Sequence, residues 1–410
     1  MSAGAPLDHF SPEALLTQTP PPSSALPREL LYATSAGIGG TGLDSTSLEG
    51  VRASHQCGSL TRALCFGSND DSLPVRSLQL HPVRLLSRLP SEEYYAAKKR
   101  YTAWAAAAEL RRYRYDFFHG WSGDSFEALV EARQRGIGSV IDIPTWHRNK
   151  GTLKPGETRT EREDRLTGRT WRDWRRELPI GRTRMLAEYE LADLILVPSR
   201  KSAETFLAAG VPERKLHYVS RGVDPERYSP GNPPEEVFRL IFVGALIQRK
   251  GVHHLLAAWK KLALKNAELV LVGTLHNDVK AAFKEHATGT VRHLGFSSRV
   301  QDELRRSSAF VFPSECEGFA KVTLEAAACG LPLIATEESG DALVDGENGF
   351  LIPPSDPDAL AAAIQTAHRR RTELQAMGLK GRERVLRCLT WDHYRQRILH
   401  AYSRAWRPLA

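Results

Sequence analysis

Two glutamates at a fixed spacing carry the clearest chemistry in this chain of 410 residues. Glu317 and Glu325 lie eight residues apart in the segment FPSECEGFAKVTLEAAACGLPLIATE. The segment predicts a strand that ends at Pro313, a polar loop, and a helix that opens near Phe319 and stops at Gly330. Because eight residues turn through about 800° of helix, the two carboxylates can point to the same side.

The surroundings of these glutamates indicate the kind of ligand they would meet. The loop joins a helix N-terminus, where free amide N–H groups and the helix dipole favour phosphate. Glu325 stands in an otherwise small and apolar run, where an unpartnered charge is costly to bury. Carboxylates beside an anion site suit a ligand with both phosphate and hydroxyl groups, and a nucleotide-sugar is such a ligand.

A pair of cations follows another predicted strand. Arg249 and Lys250 lie in FVGALIQRKG, just past the carboxyl end of that strand. When a sugar–phosphate bond breaks, negative charge develops on the phosphate, and cations placed there would stabilise it. We assign Gly244 and Gly273, each directly after a predicted strand, to the same nucleotide site.

These motifs resemble those of the retaining family-4 glycosyltransferases, which have the GT-B fold. Glu317-Gly318-Phe319 and Leu324-Glu325-Ala326 match the EGF…LEA core of the E-x7-E motif of that family. The resemblance extends to residues 192–224, 242–259 and 345–364, and is looser over the first 185 residues. The family often has an arginine after the first glycine, where this chain has Ala245, so more of the phosphate contact falls to Arg249.

The resemblance implies transfer of a sugar from a nucleotide-diphosphate-sugar to an acceptor hydroxyl, with retention at the anomeric carbon. Front-face substitution is the economical route, because no obvious candidate nucleophile stands in the sequence. Glu317 would then hold sugar hydroxyls and Glu325 ribose hydroxyls, while Arg249 and Lys250 stabilise the diphosphate. The backbone amides of Gly318, Phe319 and Ala320 would assist.

The N-terminal half contains a glycine-rich loop, GIGGTGLD, over residues 37–44. A nicotinamide site would also need an acidic residue about 20 residues onward, at the end of the second strand. That strand is predicted to end near residues 67–70, well beyond this distance. The interpretation that we prefer places Gly39, Gly40 and Thr41 against the donor phosphate or the acceptor.

Two histidines are candidates for contact with the donor sugar. His147 follows the strand predicted over 139–143, and its placement resembles that of the cleft histidine in the family. His119, on the neighbouring strand, ranks second. A lone histidine after a strand is more often structural than catalytic.

Composition limits the partners and the compartment. The net charge of +8 suggests anionic partners. The basic stretch 169–184 is best interpreted as a solvated helix face, with peripheral contact to an anionic membrane as the alternative, and no motif indicates nucleic acid. Five scattered cysteines predict no disulfide framework and favour the cytoplasm, with the inner membrane face left open.

Neither a metal nor a cofactor is expected, and the nucleotide-sugar is a co-substrate. Asp356-Pro357-Asp358 spells D-x-D, but a proline beside an acidic residue before ALAAAIQTA is typical of a helix N-cap. No run approaches 18 apolar residues, so a membrane span is not expected, and the N-terminus lacks the pattern of a secretory signal.

Apolar runs alternate with helical stretches, which predicts α/β architecture with two Rossmann-like doubly wound domains facing an inter-domain cleft. The predicted parts are a flexible arm (1–27), an acceptor-side domain (28–228), a linker (229–236), a nucleotide-sugar domain (237–388) and a terminal helix (389–410) that returns to the first domain. Two rival functions remain: a non-catalytic GT-B scaffold, and a nicotinamide-dependent oxidoreductase that uses the glycine-rich loop.

Overall fold

The computed structural model describes residues 7–14, 19–79, 91–147, 182–232 and 236–407. Within them the chain divides into two compact units, each built on a parallel sheet. One unit contains the described part of Thr17–Pro198 with Ser202–Val219 and the chain from Tyr394 onward. The other contains Ser220–His393 with Ser199–Lys201 and the described residues 7–14. The prediction of two Rossmann-like α/β domains is confirmed.

The first unit contains a sheet with strand order β3-β2-β1-β4-β5-β6-β7 in the described residues. Its strands are β1 (Leu30–Ala33), β2 (Leu60–Cys65), β3 (Val75–Ser77), β4 (Phe117–Trp121), β5 (Gly138–Asp142), β6 (Leu194–Val197) and β7 (Leu216–Tyr218). Its helices are α1 (Leu43–Gln56), α2 (Ser91–Arg112), α3 (Phe126–Gln134), α4 (Arg182–Leu191) and α5 (Arg200–Ala208), the last shared with the other unit.

The second unit contains a sheet with strand order β10-β9-β8-β11-β12-β13. Its strands are β8 (Phe238–Val243), β9 (Ala267–Val272), β10 (Val291–Gly295), β11 (Ala309–Phe312), β12 (Leu333–Thr336) and β13 (Gly349–Ile352). Its helices are α6 (Val252–Leu262), α7 (Lys280–His286), α8 (Val300–Arg305), α9 (Lys321–Ala328), α10 (Pro357–Arg369) and α11 (Arg371–Cys388), before α12 (Trp391–Ala405) ends the described chain.

The predicted strands are present, with ends that differ by no more than three residues, and β3 is an addition. β3 has three residues and follows Pro74, so it is too short to show an alternating pattern. Strand order reverses between β1 and β4 in one sheet and between β8 and β11 in the other. Ligands of doubly wound sheets bind at such switch points, beyond the carboxyl ends of the strands.

The domain boundary differs from the prediction. The segment 229–236 is not where the chain changes unit, because the change comes at Val219–Ser220. Arg305 holds the described part of that segment in place, donating through Nε to the Ser229 carbonyl at 3.1 Å. Its proline and glycine residues are typical of a linker, but the described part of the segment packs on Arg305 of α8.

The predicted flexible arm is also partly ordered. Phe10 is only 2% exposed, and the Arg384 guanidinium lies 2.8 Å from the Glu13 carboxylate. Residues 7–14 therefore pack on the unit that contains α11. An apolar ring and a buried cation provide contacts that the proline- and serine-rich composition does not predict.

One smaller prediction is confirmed, and two further findings concern the cysteines and the helices. The Asp356 side chain accepts hydrogen bonds from the amides of Asp358 and Ala359, so it caps α10. All five cysteines are free thiols. In the part of the chain that the structure describes, no helix has the length and apolar character needed to cross a bilayer.

Gly273 allows the β9 and β8 loops to approach closely. It has φ +142°, and a Cβ there would lie 1.9 Å from the Gly244 carbonyl oxygen. We predict that Gly273→Ala lowers the free energy of unfolding by about 2–5 kcal/mol, through backbone strain and overpacking. Urea denaturation measures this loss.

Gly346 provides the matched control, because it has φ +73° and no atom within 4 Å of a built Cβ. Gly346→Ala should cost about 1 kcal/mol, the ordinary penalty of positive φ. Equal losses in the two variants would contradict the close approach.

Candidate functional site

The predicted cations and the first glutamate meet at the switch point of the second sheet. The Arg249 guanidinium lies 3.0 Å from Glu317 Oε1, and Lys250 Nζ lies 3.7 Å from the same atom. Glu317 and Lys250 are mostly buried, with 14% and 18% of their side chains exposed, whereas Arg249 is 43% exposed. The arrangement forms a small charged cluster in which the arginine faces solvent.

Backbone contacts fix this cluster. Residues Gln248–Lys250 form one 3-10 turn after β8, and the loop after β11 packs on it. The Arg249 carbonyl accepts from the Glu315 amide at 2.9 Å and from the Ser314 hydroxyl at 3.2 Å, while its guanidinium donates to the Cys316 carbonyl. Cations from one loop are thereby held beside a carboxylate from another.

Lys250 is a charged group in a confined place. A Cβ on Gly244 would lie 3.0 Å from Lys250 Nζ, and the Phe312 ring centroid is 5.2 Å from that atom. Burial lowers the pKa of Lys250, and the Glu317 carboxylate acts in the opposite direction. Gly244 thus leaves room for the ammonium, and its contact with a nucleotide stays a prediction.

Glu325 has a separate environment on α9. Burial raises the pKa of its carboxyl, while Lys321, Arg227 and the Tyr228 hydroxyl lower it. Tyr228 is buried and comes from the chain segment just after the change of unit. The two glutamates are therefore not in one cluster: Glu317 pairs with Arg249 and Lys250, whereas Glu325 is influenced electrostatically by Lys321 and Arg227.

The backbone at the start of α9 is only partly available to a ligand. The Ala320 amide donates to the Ser339 carbonyl at 3.0 Å, so its predicted role as an anion donor is wrong in this structure. The amides of Gly318 and Phe319 have no acceptor among the described residues. Phe319 itself is 9% exposed and packs on Gly340, where a Cβ would lie 2.8 Å from the ring.

The glycine-rich loop lies at the switch point of the first sheet. Gly39 and Gly40 have φ of +94° and +102°, and Thr41 is exposed. The Asp44 carboxylate accepts from the Gly37 amide at 3.0 Å. The Asp44 side chain thus already accepts from one amide of the loop. The positive φ angles show that the loop needs glycine at these positions, as the sequence indicates.

Both histidines are buried in the first unit. His147 is 3% exposed, with its ring 5.1 Å from Tyr189 and 4.9 Å from Phe206, centroid to centroid. His119 lies on β4, its Nδ1 is 2.8 Å from the Tyr402 hydroxyl, and burial lowers its pKa to about 3. Contact of either ring with a donor sugar stays a prediction.

Two buried acids near the first switch point were not predicted. Asp124 is 2% exposed and accepts from the Ser35 amide at 2.7 Å, and burial raises its pKa to about 6. Glu188 accepts from the amides of Gly123 and Ser125 at 2.6 and 2.9 Å, and burial raises its pKa to about 8. The available signal was the position of Asp124, in a Gly-Asp-Ser turn between β4 and α3.

The remaining predicted feature, the basic stretch 169–184, falls almost entirely outside the described residues, which resume at 182. Arg184, from its end, lies on α4 and pairs with Glu127. Membrane contact through this stretch stays a prediction.

Comparison with known families matches both units. A family profile described as "Glycosyl transferases group 1" matches residues 237–370, and one described as "Glycosyltransferase Family 4" matches residues 61–227. The first match contains Arg249, Lys250, Glu317 and Glu325, and the second contains most strands of the first sheet.

Individual proteins show the same likeness. The chain is 30% identical over 156 residues to the capsular polysaccharide biosynthesis glycosyltransferase CapM of Staphylococcus aureus, covering 36% of this chain and 41% of that one. It is 27% identical over 227 residues to the MMP alpha-(1->4)-mannosyltransferase of Mycolicibacterium hassiacum, covering 53% and 55%. These matches span about half of each relative, or less.

A solved structure extends the likeness to the fold. Sucrose-phosphate synthase from Thermosynechococcus elongatus superposes with a TM-score of 0.67 at 20% identity, over 92% of this chain and 98% of that one. The GT-B architecture predicted from the sequence is confirmed.

Glu317→Gln tests the coupling between the carboxylate and Lys250. Without the carboxylate, burial and Arg249 both lower the pKa of Lys250, so the ammonium loses its proton at lower pH than in the wild type. We predict that affinity for inorganic pyrophosphate then declines at lower pH. Calorimetric titration between about pH 7 and about pH 10 measures the shift.

Glu337→Gln is the matched control, since that carboxylate lies 2.7 Å from Lys201 and outside this cluster. It should leave the pH profile where it is in the wild type. An unshifted pH profile in Glu317→Gln would show that the pKa of Lys250 does not depend on the Glu317 carboxylate.

Proposed function

Because the chain belongs to the family-4 glycosyltransferases, we propose that it moves a sugar from a nucleotide-diphosphate-sugar to an acceptor hydroxyl, with retention by front-face substitution. The observation that carries the proposal is the cluster of Arg249, Lys250 and Glu317 at the switch point of the second sheet. Such a cluster provides positive charge for a diphosphate and, within a few ångströms of it, a carboxylate that can accept hydrogen bonds from sugar hydroxyls.

The cations would act on the leaving group. As the anomeric bond breaks, negative charge grows on the outer phosphate. The confined Lys250 ammonium would therefore stabilise the transition state more than it stabilises the ground state. Arg249 is exposed enough to turn toward a phosphate, which it can bind with two parallel N–H donors. The Gly318 and Phe319 amides would provide further donors.

Glu317 would position the sugar. Its Oε1 atom lies 3.0 Å from Arg249 and 3.7 Å from Lys250, and a carboxylate can accept hydrogen bonds from sugar hydroxyls. A carboxylate already balanced by two cations is a weak nucleophile, which supports substitution on one face of the sugar, assisted by the departing phosphate. The acceptor would lose its proton to that phosphate oxygen as the new bond forms.

Glu325 would hold the ribose. It lies half-buried about one turn into α9, and a carboxylate can accept from two vicinal hydroxyls at once. Burial raises the pKa of this carboxyl, and Lys321 and Arg227 oppose that effect. The similarity to a mannosyltransferase makes hexose donors the first to screen.

The proposal is tested by binding and then by turnover. Thermal-shift titration of the full chain with UDP, GDP, ADP and CMP identifies the base, and donor hydrolysis or transfer with the matching nucleotide-sugars follows. Stabilisation by one diphosphate, with release of that diphosphate from its sugar, supports the proposal. A pure, folded protein that binds none of the nucleotides would refute it.

Lys250→Ala should lower the turnover number by about 10²–10³-fold, because the variant loses a donor aimed at the charge that develops on the phosphate. Steady-state kinetics with saturating donor measures the effect. Lys261→Ala is the matched control, since Lys261 forms an exposed pair with Asp358 and should leave turnover unchanged. Wild-type turnover in Lys250→Ala would remove this lysine from the mechanism.

Glu325→Ala should weaken nucleotide binding by about tenfold or more, the equivalent of about 1.4 kcal/mol, because two ribose hydroxyls lose their acceptor. Calorimetry with the nucleoside diphosphate and with pyrophosphate separates the contribution of the ribose to binding from that of the diphosphate. Affinity for pyrophosphate should stay unchanged. If nucleotide affinity also stays unchanged, Glu325 does not contact the ribose.

A further inference from the structure

Three potential metal ligands meet beside the donor-side cluster. His253 and His254 lie in the first turn of α6, and Glu315 lies in the loop after β11. Their ligand atoms all lie within 4.8 Å of one another. Glu315 Oε1 is 3.6 Å from His253 Nε2 and 3.4 Å from His254 Nε2.

These distances differ from those of hydrogen bonds. An N–H···O bond joins heavy atoms at about 2.7–3.2 Å, so neither imidazole is hydrogen-bonded to Glu315. Ligands at about 2.0–2.2 Å from a tetrahedral zinc ion lie about 3.3–3.5 Å from each other. The Glu315 carboxylate oxygen thus lies from each imidazole nitrogen at nearly the distance that a shared tetrahedral ion would impose.

The two imidazoles stand side by side, with ring centroids 3.9 Å apart. The Asp278 carboxylate accepts from the Gln248 amide at 2.9 Å and acts electrostatically on His253, so it adds negative charge near the three ligands.

The three residues come from elements that are already tied together. The Glu315 amide donates to the Arg249 carbonyl at 2.9 Å, which fixes the loop relative to the turn that precedes α6. Their side chains are 24–33% exposed, so an ion can reach them from solvent. Two imidazoles and one carboxylate form a ligand set that zinc and its neighbours in the transition series accept.

We infer that His253, His254 and Glu315 bind one divalent transition-metal ion of the zinc type, with a fourth position open to water. The ion joins α6 to the loop that carries Glu317, so its binding stabilises that connection. This site has no part in the glycosyl transfer proposed above, and its test does not depend on that activity. The expectation that the chain binds no metal rested on the D-x-D sequence, which caps α10 and gave no information about these residues.

The test uses the full chain without an affinity tag, freed of metal by a chelator. Calorimetric titration with Zn²⁺ should show one tight site per chain, and Co²⁺ should give the intense visible bands of a tetrahedral complex. Zn²⁺ should also raise the melting temperature. Glu315→Gln and His254→Gln should each lose the tight site and the visible bands while keeping the far-ultraviolet circular dichroism of the wild type.

His286→Ala is the matched control. His286 Nε2 lies 3.7 Å from Glu285 Oε1, a similar separation, but no third ligand joins this pair in the described residues. The control should bind Zn²⁺ and Co²⁺ as the wild type does. The inference is overturned if the wild type shows no tight site, or if Glu315→Gln and His254→Gln retain it.

Discussion

The close approach of two loops at the carboxyl edge of the second sheet is the constraint on which the site depends. At Gly251 a Cβ would lie 2.0 Å from the Pro313 carbonyl oxygen, so only glycine lets the turn after β8 rest on the loop after β11. Because that contact exists, cations from one loop meet the carboxylate of the other. The histidines that follow Gly251 reach Glu315 for the same reason. A single backbone contact therefore positions both charged clusters.

The two sheets present different chemistry at their switch points. The second sheet brings exposed and half-buried cations to its edge, at Arg249 and Lys250, together with amides that lack acceptors among the described residues. The first sheet brings glycines and the buried acids Asp124 and Glu188, whose carboxyl pKa values burial raises. Two parallel sheets that both reverse their strand order thus carry cations at the switch point of one unit and buried acids near that of the other, because their loops differ.

Sequence predicted what depends on strand order and local pattern. Glu317 and Lys250 follow β11 and β8, which are neighbours in a doubly wound sheet, so their meeting could be foreseen. His147 could not be placed, since its burial depends on Tyr189 and Phe206, more than forty residues away in sequence. Composition misplaced the boundary at 229–236, where Arg305 decides the packing. Asp124 was missed because the burial of its turn depends on residues that are distant in sequence, such as Glu188.

The path of α12 has a consequence for how the protein is made. This helix belongs to the unit that contains the first sheet, where the Tyr402 hydroxyl contacts His119 and the Tyr402 ring lies 5.1 Å from Phe117. On the ribosome, domains usually fold in the order in which they emerge. Here the unit of the first sheet cannot complete its core until α12 has been synthesised, which comes after the whole second sheet.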